Sequence, residues 1–305
     1  MNGAKGIIPG REVRRGREWA AGRKGGGARR GGAGGRSGVN GAKEMILGRE
    51  VLQSLLLPLA ALTLWFGLSA TGLVPGYLLP SPPTVLHSGI GYIFGTPGDS
   101  PYAGRFAGDL AASLVRVLLG FAIAAGLGIP LGICSGRLAL VNRLVGHAIG
   151  GLRAVPGICW LPLALIWFGI GIKTTVFLVA LAAFFPIYQN ALTGARLVAP
   201  IYYQAGAMLG VSRLRGIFAI LLPLAMPNII TGLRLGMGIS WAYLVLGELT
   251  GVPDGLGAVI MDARMLGQTD IILVGIILIA VIGRLCDRLL VAALRLCFKS
   301  ARRQR

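Results

Sequence analysis

The segment VLLGFAIAAGLGIPLGICSG at residues 117–136 decides the fold of this chain, because it contains no charged residue. A helix of roughly 20 apolar residues is long enough to cross the hydrocarbon core of a bilayer. In lipid the backbone must satisfy its own hydrogen bonds, and a long apolar run fits a helix rather than the alternating pattern of a barrel strand. The segment therefore predicts a membrane-spanning α-helix.

Further charge-free intervals lie on both sides of this segment. No charged residue occurs between Glu50 and Asp99, and only Lys173 interrupts the interval from Arg153 to Arg196. We therefore predict an all-α, polytopic membrane protein with about six transmembrane helices. The predicted spans are residues 51–71, 112–135, 146–170, 174–194, 224–248 and 270–292.

The distribution of charge predicts the orientation, because Lys and Arg in short loops stay on the cytoplasmic side. With six spans and the N-terminus inside, one side receives basic residues without an acid, and the other receives most of the acids. The prediction is a multi-pass protein of the plasma (inner) membrane with cytoplasmic N- and C-termini. The first side holds Arg137, Arg143, Arg196, Arg213, Arg215, Arg295, Lys299, Arg302, Arg303 and Arg305, and the second holds Asp99, Asp109, Asp254, Asp262 and Asp270.

The formal net charge of +19 suggests nucleic-acid binding at first sight. Membrane topology explains the charge of the domain at residues 45–305, so no nucleic-acid partner is expected there. Residues 1–44 carry eleven Lys or Arg against three acids and little apolar pattern, which predicts a disordered tail. This tail is a lipid-adjacent segment, an RNA-contacting arm, or upstream sequence that precedes a true start at Met45.

Several functional classes lack the residues that they need. The four cysteines show no paired spacing and the two histidines are isolated, so no metal site is expected. The segment GIGIKTT at residues 169–175 resembles a phosphate loop only faintly, and no GKS or GKT element occurs in the chain. No set of nucleophile, base and acid is visible, so the chain is not expected to be an enzyme and no catalytic residue is assigned.

Small residues recur at helical spacing within the spans. Gly128, Gly132 and Gly136 form one series, and Gly232 and Gly236 form another. Such faces let helix backbones approach closely in lipid. Packing within the subunit is the favoured interpretation, and a dimer seam is the alternative.

The segment QAGAMLGVSRLRGIFAILLP at residues 204–223 lies between predicted spans four and five. Residues 202–209 favour a helix, Gly210 permits a turn or a tight contact, and Ser212 is suited to cap a second short helix from Arg213 to Leu222. Pro223 begins the next span. An apolar, basic helix pair of this kind lies in the membrane interface or is buried against a partner.

This segment resembles the EAA loop of binding-protein-dependent ABC importer permeases. The family pattern is Glu-Ala-Ala, three residues, Gly, nine residues, Ile, one residue, Leu-Pro. Two positions depart from it, because Gln204 replaces the acid and Gly206 replaces the second Ala. The matching positions are Gln204, Ala205, Gly206, Gly210, Ile220, Leu222 and Pro223.

Other landmarks are similar to the branch for aliphatic sulfonates, taurine and nitrate, and the resemblance covers residue 51 to the C-terminus. They are YLLPSPPTV at 77–85, RAVPGICWLPLALIWFGIG at 153–171, FFPIYQN at 184–190, and residues 255–264 followed by Gln268, Thr269 and Asp270. The resemblance implies a fold like that of a type I ABC importer permease.

The resemblance also implies partners and roles. Residues 196–223 become the candidate coupling loop, which docks on a separate ATP-binding subunit, so this chain holds no cofactor itself. An extracytoplasmic substrate-binding protein delivers a small solute, two copies of the chain form a homodimer, and lipid surrounds them. Gly206 and Gly210 are expected to allow close approach of the ATPase, and Ile220 and Leu222 to anchor the loop. Arg213 has two interpretations, as an ATPase contact or as a cytoplasmic interface anchor.

Candidate pathway residues lie along or at the end of the fifth span. They are polar or amphipathic groups at membrane depth, which face a cavity or another helix. Arg116, Arg153 and Arg234 would attract an anion or serve as interface anchors. The alternative function is an ion-gradient-driven secondary transporter. The pathway candidates are Asn228, Ser240, Trp241 and Glu248.

Overall fold

The structure is a computed structural model that describes residues 56–297 except Leu73 and Pro97, and it leaves the side chains of Arg213 and Cys297 undescribed. The predicted tail at residues 1–44, Met45 and the first five residues of the first predicted span lie outside the described residues. The contacts below belong to the compact unit that begins at Leu62.

The described residues contain helices and connecting segments and no strand, which confirms the all-α prediction. Short π-helical turns at Asn142–Gly146 and Ile217–Leu221 and a 3-10 turn at Gly157–Trp160 join some of the helices. The helices are α1 (Leu56–Ala70), α2 (Pro82–Phe94), α3 (Phe106–Arg137), α4 (Ala139–Val141), α5 (His147–Ala154), α6 (Leu161–Phe168), α7 (Ile172–Leu197), α8 (Pro200–Met208), α9 (Arg213–Gly216), α10 (Leu222–Glu248), α11 (Leu256–Met265) and α12 (Thr269–Cys297).

Within the described residues, four helical segments are long and apolar enough to cross a membrane. Each contains one of the predicted spans at 112–135, 174–194, 224–248 and 270–292, so these four predictions are confirmed. The segments are Phe106–Arg137, Ile172–Leu197, Leu214–Glu248 and Thr269–Leu296.

The third predicted span, residues 146–170, is not one continuous helix. Segments Ala139–Ala154 and Gly157–Phe168 meet at a bend of 94° and count as a fifth span only when they are taken together. Val155 is extended, with φ −78° and ψ 118°, directly before Pro156. Proline disfavours the helical region at the preceding residue and has no N–H to donate, which explains the break.

Helix α7 lies between α3 and α10, and glycines set the distance on both sides. A Cβ added at Gly132 of α3 would lie 2.6 Å from the carbonyl oxygen of Tyr188. A Cβ added at Gly236 of α10 would lie 3.0 Å from Ile187. Both glycine series therefore pack within the chain, as the favoured interpretation expected.

Helices α2, α11 and α12 form a second apolar cluster, which includes Val85, Tyr92, Val259 and Val274. The hydroxyl of Ser88 on α2 donates to Asp270 at the start of α12 at 2.5 Å. The C-terminal end of α10 packs against α11, where the N–H of Gly257 donates to Glu248 at 2.8 Å, whereas its N-terminal end continues directly from the candidate coupling loop.

Candidate functional site

The candidate coupling loop is closed by its own backbone around Gly210. The N–H of Val211 donates to the carbonyl of Gly206 at 2.9 Å, and the N–H of Gly210 donates to Ala207 at 3.0 Å. This pair of bonds is the Schellman arrangement that ends a helix. Gly210 has φ +77° and an added Cβ would meet no atom within 4 Å. Glycine is therefore required here by the backbone turn, and not by crowding within this chain.

Gly206 packs against the second half of the loop. It is buried in α8, and an added Cβ would lie 2.5 Å from Cδ1 of Ile220. The space beside Gly206 is therefore filled by Ile220 of the same chain, and close approach of the ATPase at this glycine stays a prediction. The contact between Gly206 and Ile220, two positions of the motif, holds α8 against the turn at Ile217–Leu221.

The second half of the loop begins with a capped turn. The hydroxyl of Ser212 accepts a hydrogen bond from the N–H of Arg215 at 3.5 Å, which confirms the predicted cap. Leu221 is 1% exposed and packs with Ala195 and Val198 at the end of α7. Leu222 is half-buried against the main core, as expected for an anchor, but the more deeply buried Leu221 was missed by the sequence analysis.

Arg137 at the end of α3 also holds the loop. Its guanidinium lies 4.2 Å from the ring centroid of Tyr203 on α8. The same group donates to the carbonyls of Ala195 and Val198 at 3.5 Å. Burial raises the pKa of Tyr203, and the positive charge of Arg137 partly offsets this. Arg137 therefore joins α3 to the end of α7 and to the loop.

The loop presents an exposed apolar face. Met208 is 89% exposed, Leu209 84%, Leu214 75% and Phe218 71%. Gln204 and Ala205 are also exposed, and Pro223 occupies the first turn of α10. A loop that is internally closed while its large apolar side chains point outward has the features of a docking surface. We call these four residues the apolar face.

A cluster of charged side chains joins α3 to the C-terminal end of α10. Asp109, Ser113 and Arg116 lie on one side of α3, and all three are at most 5% exposed. Glu248 is fully buried and accepts from Nη1 of Arg116 at 2.7 Å and from the hydroxyl of Ser113 at 2.8 Å. Arg116 also pairs with the carboxylate of Asp254, whose side chain is 53% exposed. We call these five residues the polar clasp.

Backbone N–H groups complete the polar clasp. Gly255 donates to Asp109 at 3.0 Å, and Gly257 donates to Glu248 at 2.8 Å. Gly255 has φ +120°, and an added Cβ would lie 2.5 Å from Glu248. Tyr92 donates to Asp109 at 3.0 Å, and burial followed by the charge of Asp109 raises the pKa of this phenol, which keeps it a donor. Buried charges of this kind are tolerated because they are paired and hydrogen-bonded.

The four pathway candidates occupy different environments. Asn228 is half-buried beside Gly194 of α7. Ser240 is buried and donates to the carbonyl of Gly236 at 2.8 Å, while Trp241 is 5% exposed in the main core. Glu248 belongs to the polar clasp. None of them lines the two cavities beside α7 that are described below, and their role in a pathway stays a prediction.

Comparison with known proteins identifies the family. The sequence model of one protein family, the binding-protein-dependent transport system inner membrane component, matches residues 128–295. The chain belongs to this family. It is a membrane permease of ABC importers and not an enzyme, and membership implies an ATPase subunit and a substrate-binding protein as partners.

Individual relatives extend the match over most of the chain. SsuC of Bacillus subtilis (strain 168), named for aliphatic sulfonates transport, is 36% identical over 77% of this chain and 83% of its own length. TauC of Escherichia coli (strain K12), a taurine transport system permease protein, is 36% identical over 79% of this chain and 86% of its own length. NrtB of Synechocystis sp., a nitrate import permease protein, is 34% identical over 70% of this chain and 78% of its own length.

A solved structure agrees in fold. The MetNI methionine ABC transporter, solved in inward-facing conformations, matches with a TM-score of 0.50 at 17% identity. The match covers 62% of this chain and 96% of the solved chain. The ABC importer permease fold is therefore common to both chains.

Proposed function

We propose that this permease moves a small anion, such as an aliphatic sulfonate, taurine or nitrate, across the membrane. The names of SsuC, TauC and NrtB support this class of solute. We further propose that two copies form a homodimer within the lipid bilayer and that both termini face the cytoplasm. The basic residues Arg137, Arg143, Arg196 and Arg215 at one end of the spans support this orientation.

The apolar face is the observation that carries the proposed ATPase contact. Its side chains are exposed in this chain, although the backbone of the loop is closed by the Gly210 turn and by the Gly206–Ile220 contact. Burial of such side chains against a partner is favourable by about 25 cal/mol per Å² of apolar surface. We therefore propose that the candidate coupling loop, residues 196–223, docks on the ATP-binding subunit, which binds the ATP.

Helix α10 connects this docking surface to the polar clasp. Its 27 residues correspond to a length of about 40 Å. We propose that ATP-driven closure of the ATPase subunits displaces the loop, and that α10 and α7 carry the displacement into a two-state helix packing. Asn228, Ser240, Trp241 and Glu248 are retained as proposed pathway or gating positions on this helix.

Co-purification of the ATPase tests the proposal. The chain is expressed in its native host, solubilised mildly and captured, and the co-purifying subunits are identified by mass spectrometry. We expect an ATPase subunit with the wild type, and its loss when Met208 and Leu209 are both replaced by Ser. Leu140→Ser is the matched control, because Leu140 is 69% exposed on α4, outside the candidate coupling loop.

Two outcomes would contradict the proposal. Recovery of the ATPase with the double variant would mean that the apolar face is not the docking surface. Uptake that follows an ion gradient and continues in cells without the ATPase would support a secondary transporter instead.

A further inference from the structure

A basic cavity lies beside α7, and none of its lining residues belongs to the apolar face or to the polar clasp. It has a volume of 270 Å³ and is lined by the turn at Asn142–Gly146, by α5 and by α7. A second cavity of 450 Å³ shares Arg153, Phe185 and Gln189 with the first, so the two adjoin. Among the described residues, no Asp or Glu lines either one.

The first cavity contains two guanidinium groups. Arg196 donates to the side-chain oxygen of Asn142 at 2.8 Å, which holds its position. Arg153 makes no ion pair and no hydrogen bond within the described part of the chain. A cationic side chain within a membrane span is costly unless it meets a counter-charge or water. The cavity therefore has a surplus of positive charge.

Tyr188 adds a neutral donor to this charge. The residue is 2% exposed and lines the first cavity, and its hydroxyl is buried without a partner among the described residues. A buried hydroxyl that lacks a hydrogen bond destabilises the folded chain, and a bound acceptor would offset this cost. The stacking of its ring on Phe184, at 5.7 Å between centroids, limits its movement.

The break in the third span explains why polar groups gather at this place. The bend at Val155–Pro156 interrupts the backbone hydrogen bonds directly after Arg153. Non-helical backbone at membrane depth is tolerated where it is buried in protein or lines a water-filled cavity. Val155 and Pro156 at the bend line the second cavity, and the adjoining first cavity holds the two guanidinium groups and the Tyr188 hydroxyl, which has no partner among the described residues.

We propose that this cavity binds the oxyanion group of the transported solute, with Arg153 and Tyr188 as direct donors and Arg196 as a second positive charge. A guanidinium offers paired N–H donors that match a sulfonate or nitrate, and the phenol adds a third donor. The volume of the first cavity accommodates a group of this size. The inference rests on the proposed function, because it assigns the anion of that importer to particular residues.

The test measures anion binding to the complex of this chain and its ATPase subunit in phosphatidylcholine nanodiscs. The probes are radiolabelled methanesulfonate and nitrate. We expect saturable binding of at least one probe to the wild type. Arg153→Gln is expected to weaken it about tenfold or more, as for loss of a hydrogen bond to a charged group. Tyr188→Phe is expected to weaken it about threefold to tenfold.

Two controls separate a direct role from a structural one. Tyr188→Phe removes only a hydroxyl that has no partner among the described residues, so the thermal unfolding temperature of this variant should not fall. Arg143→Gln removes a nearby basic residue that does not line either cavity, and it should leave binding unchanged. Equal binding by wild type and Arg153→Gln, or equal weakening by Arg143→Gln, would overturn the proposal.

A lipid phosphate is the other source of an oxyanion at this site. The measurement is therefore repeated in nanodiscs that contain phosphatidylglycerol, with the retained lipid identified by native mass spectrometry. Retention of phosphatidylglycerol by the wild type and not by Arg153→Gln, without probe binding, would overturn the proposal in favour of a headgroup site. Probe binding that is unchanged by phosphatidylglycerol supports the transported solute, and not a lipid headgroup, as the ligand of the cavity.

The same samples separate the two levels of inference. A wild-type complex that retains its ATPase and binds neither probe overturns the anion site and leaves the ATPase contact standing. A folded chain that recruits no ATPase subunit overturns the proposed function itself.

Discussion

The two ends of α10 differ in how their side chains are paired and buried within the chain. At the C-terminal end, Arg116 and Glu248 are almost completely buried and pair with each other within this chain, at 2.7 Å. At the N-terminal end, the loop is closed by backbone bonds, but Leu209 and Phe218 remain exposed. One end therefore pairs its charged groups within the chain, whereas the other leaves large apolar side chains exposed, as the proposed docking on a partner requires. The predictions below test this difference, from the largest expected effect on stability to the smallest.

Removal of Glu248 should have the largest effect. Glu248→Ala leaves Arg116 buried without its main counter-charge, and breaking a buried ion pair costs about 3–5 kcal/mol. We expect a large fall in the thermal unfolding temperature in detergent and less protein in the membrane. Asp254→Asn is the control, because the Asp254 side chain is 53% exposed and should cost about 1 kcal/mol or less. Equal losses for the two variants would remove the distinction between a buried and an exposed carboxylate.

Two glycines with positive φ compare the two ends directly. Gly255→Ala places a methyl group 2.5 Å from Glu248, so at least about 1 kcal/mol of backbone strain adds to overpacking of about 1–3 kcal/mol. Gly210→Ala meets open space and should cost only the backbone strain, about 1 kcal/mol. Denaturant or thermal unfolding of both variants checks the order. A larger loss for Gly210→Ala would mean that the loop, and not the clasp, is the crowded end.

The contact between Gly206 and Ile220 should behave as a coupled pair. Gly206→Val overpacks against Cδ1 of Ile220, with an expected cost of about 2 kcal/mol. Ile220→Ala removes the clashing atoms, so the double variant should be more stable than the sum of the single losses predicts. A double-mutant cycle on unfolding, together with proteolysis of the loop, measures the coupling. Strict additivity would show that the two residues do not determine each other's packing.

Substitution on the apolar face should have the smallest effect on stability. Leu209→Ser changes a side chain that is 84% exposed, so the unfolding free energy of the isolated permease should change by no more than about 0.5 kcal/mol. ATPase recruitment should nevertheless fall, because burial of this side chain in the complex is lost. A large fall in the unfolding temperature of the isolated chain would show that Leu209 packs internally, and the contrast between the two ends would then fail.

The spans and the candidate coupling loop were predictable because their signals are local. A charge-free run such as residues 117–136 requires a helix in lipid whatever surrounds it, and this prediction is confirmed. The turn at Gly210 and the cap at Ser212 depend on residues within one or two turns of the chain. The break of the third span was also signalled locally by Pro156, but the absence of charge around it favoured a continuous helix.

The polar clasp was not predicted, although part of its signal is visible. Asp109, Ser113 and Arg116 follow one another at spacings of four and three residues, which places them on one side of a helix. The sequence analysis nevertheless assigned Asp109 to a loop and offered Arg116 as an anchor or an anion contact. The decisive partner of Arg116 is Glu248, which lies 132 positions away, and no local pattern connects them.

The sequence by itself determined that the chain crosses a membrane, where four of the six predicted spans lie and where the candidate coupling loop interrupts them, since length, charge and motif spacing act along the chain. Only the tertiary structure decided that the glycine series pack on α7, that Gly206 receives Ile220, and that Arg116 is neutralised by Glu248. These contacts join residues on different helices. Their energies depend on distances of a few ångströms that arise only when the helices are packed.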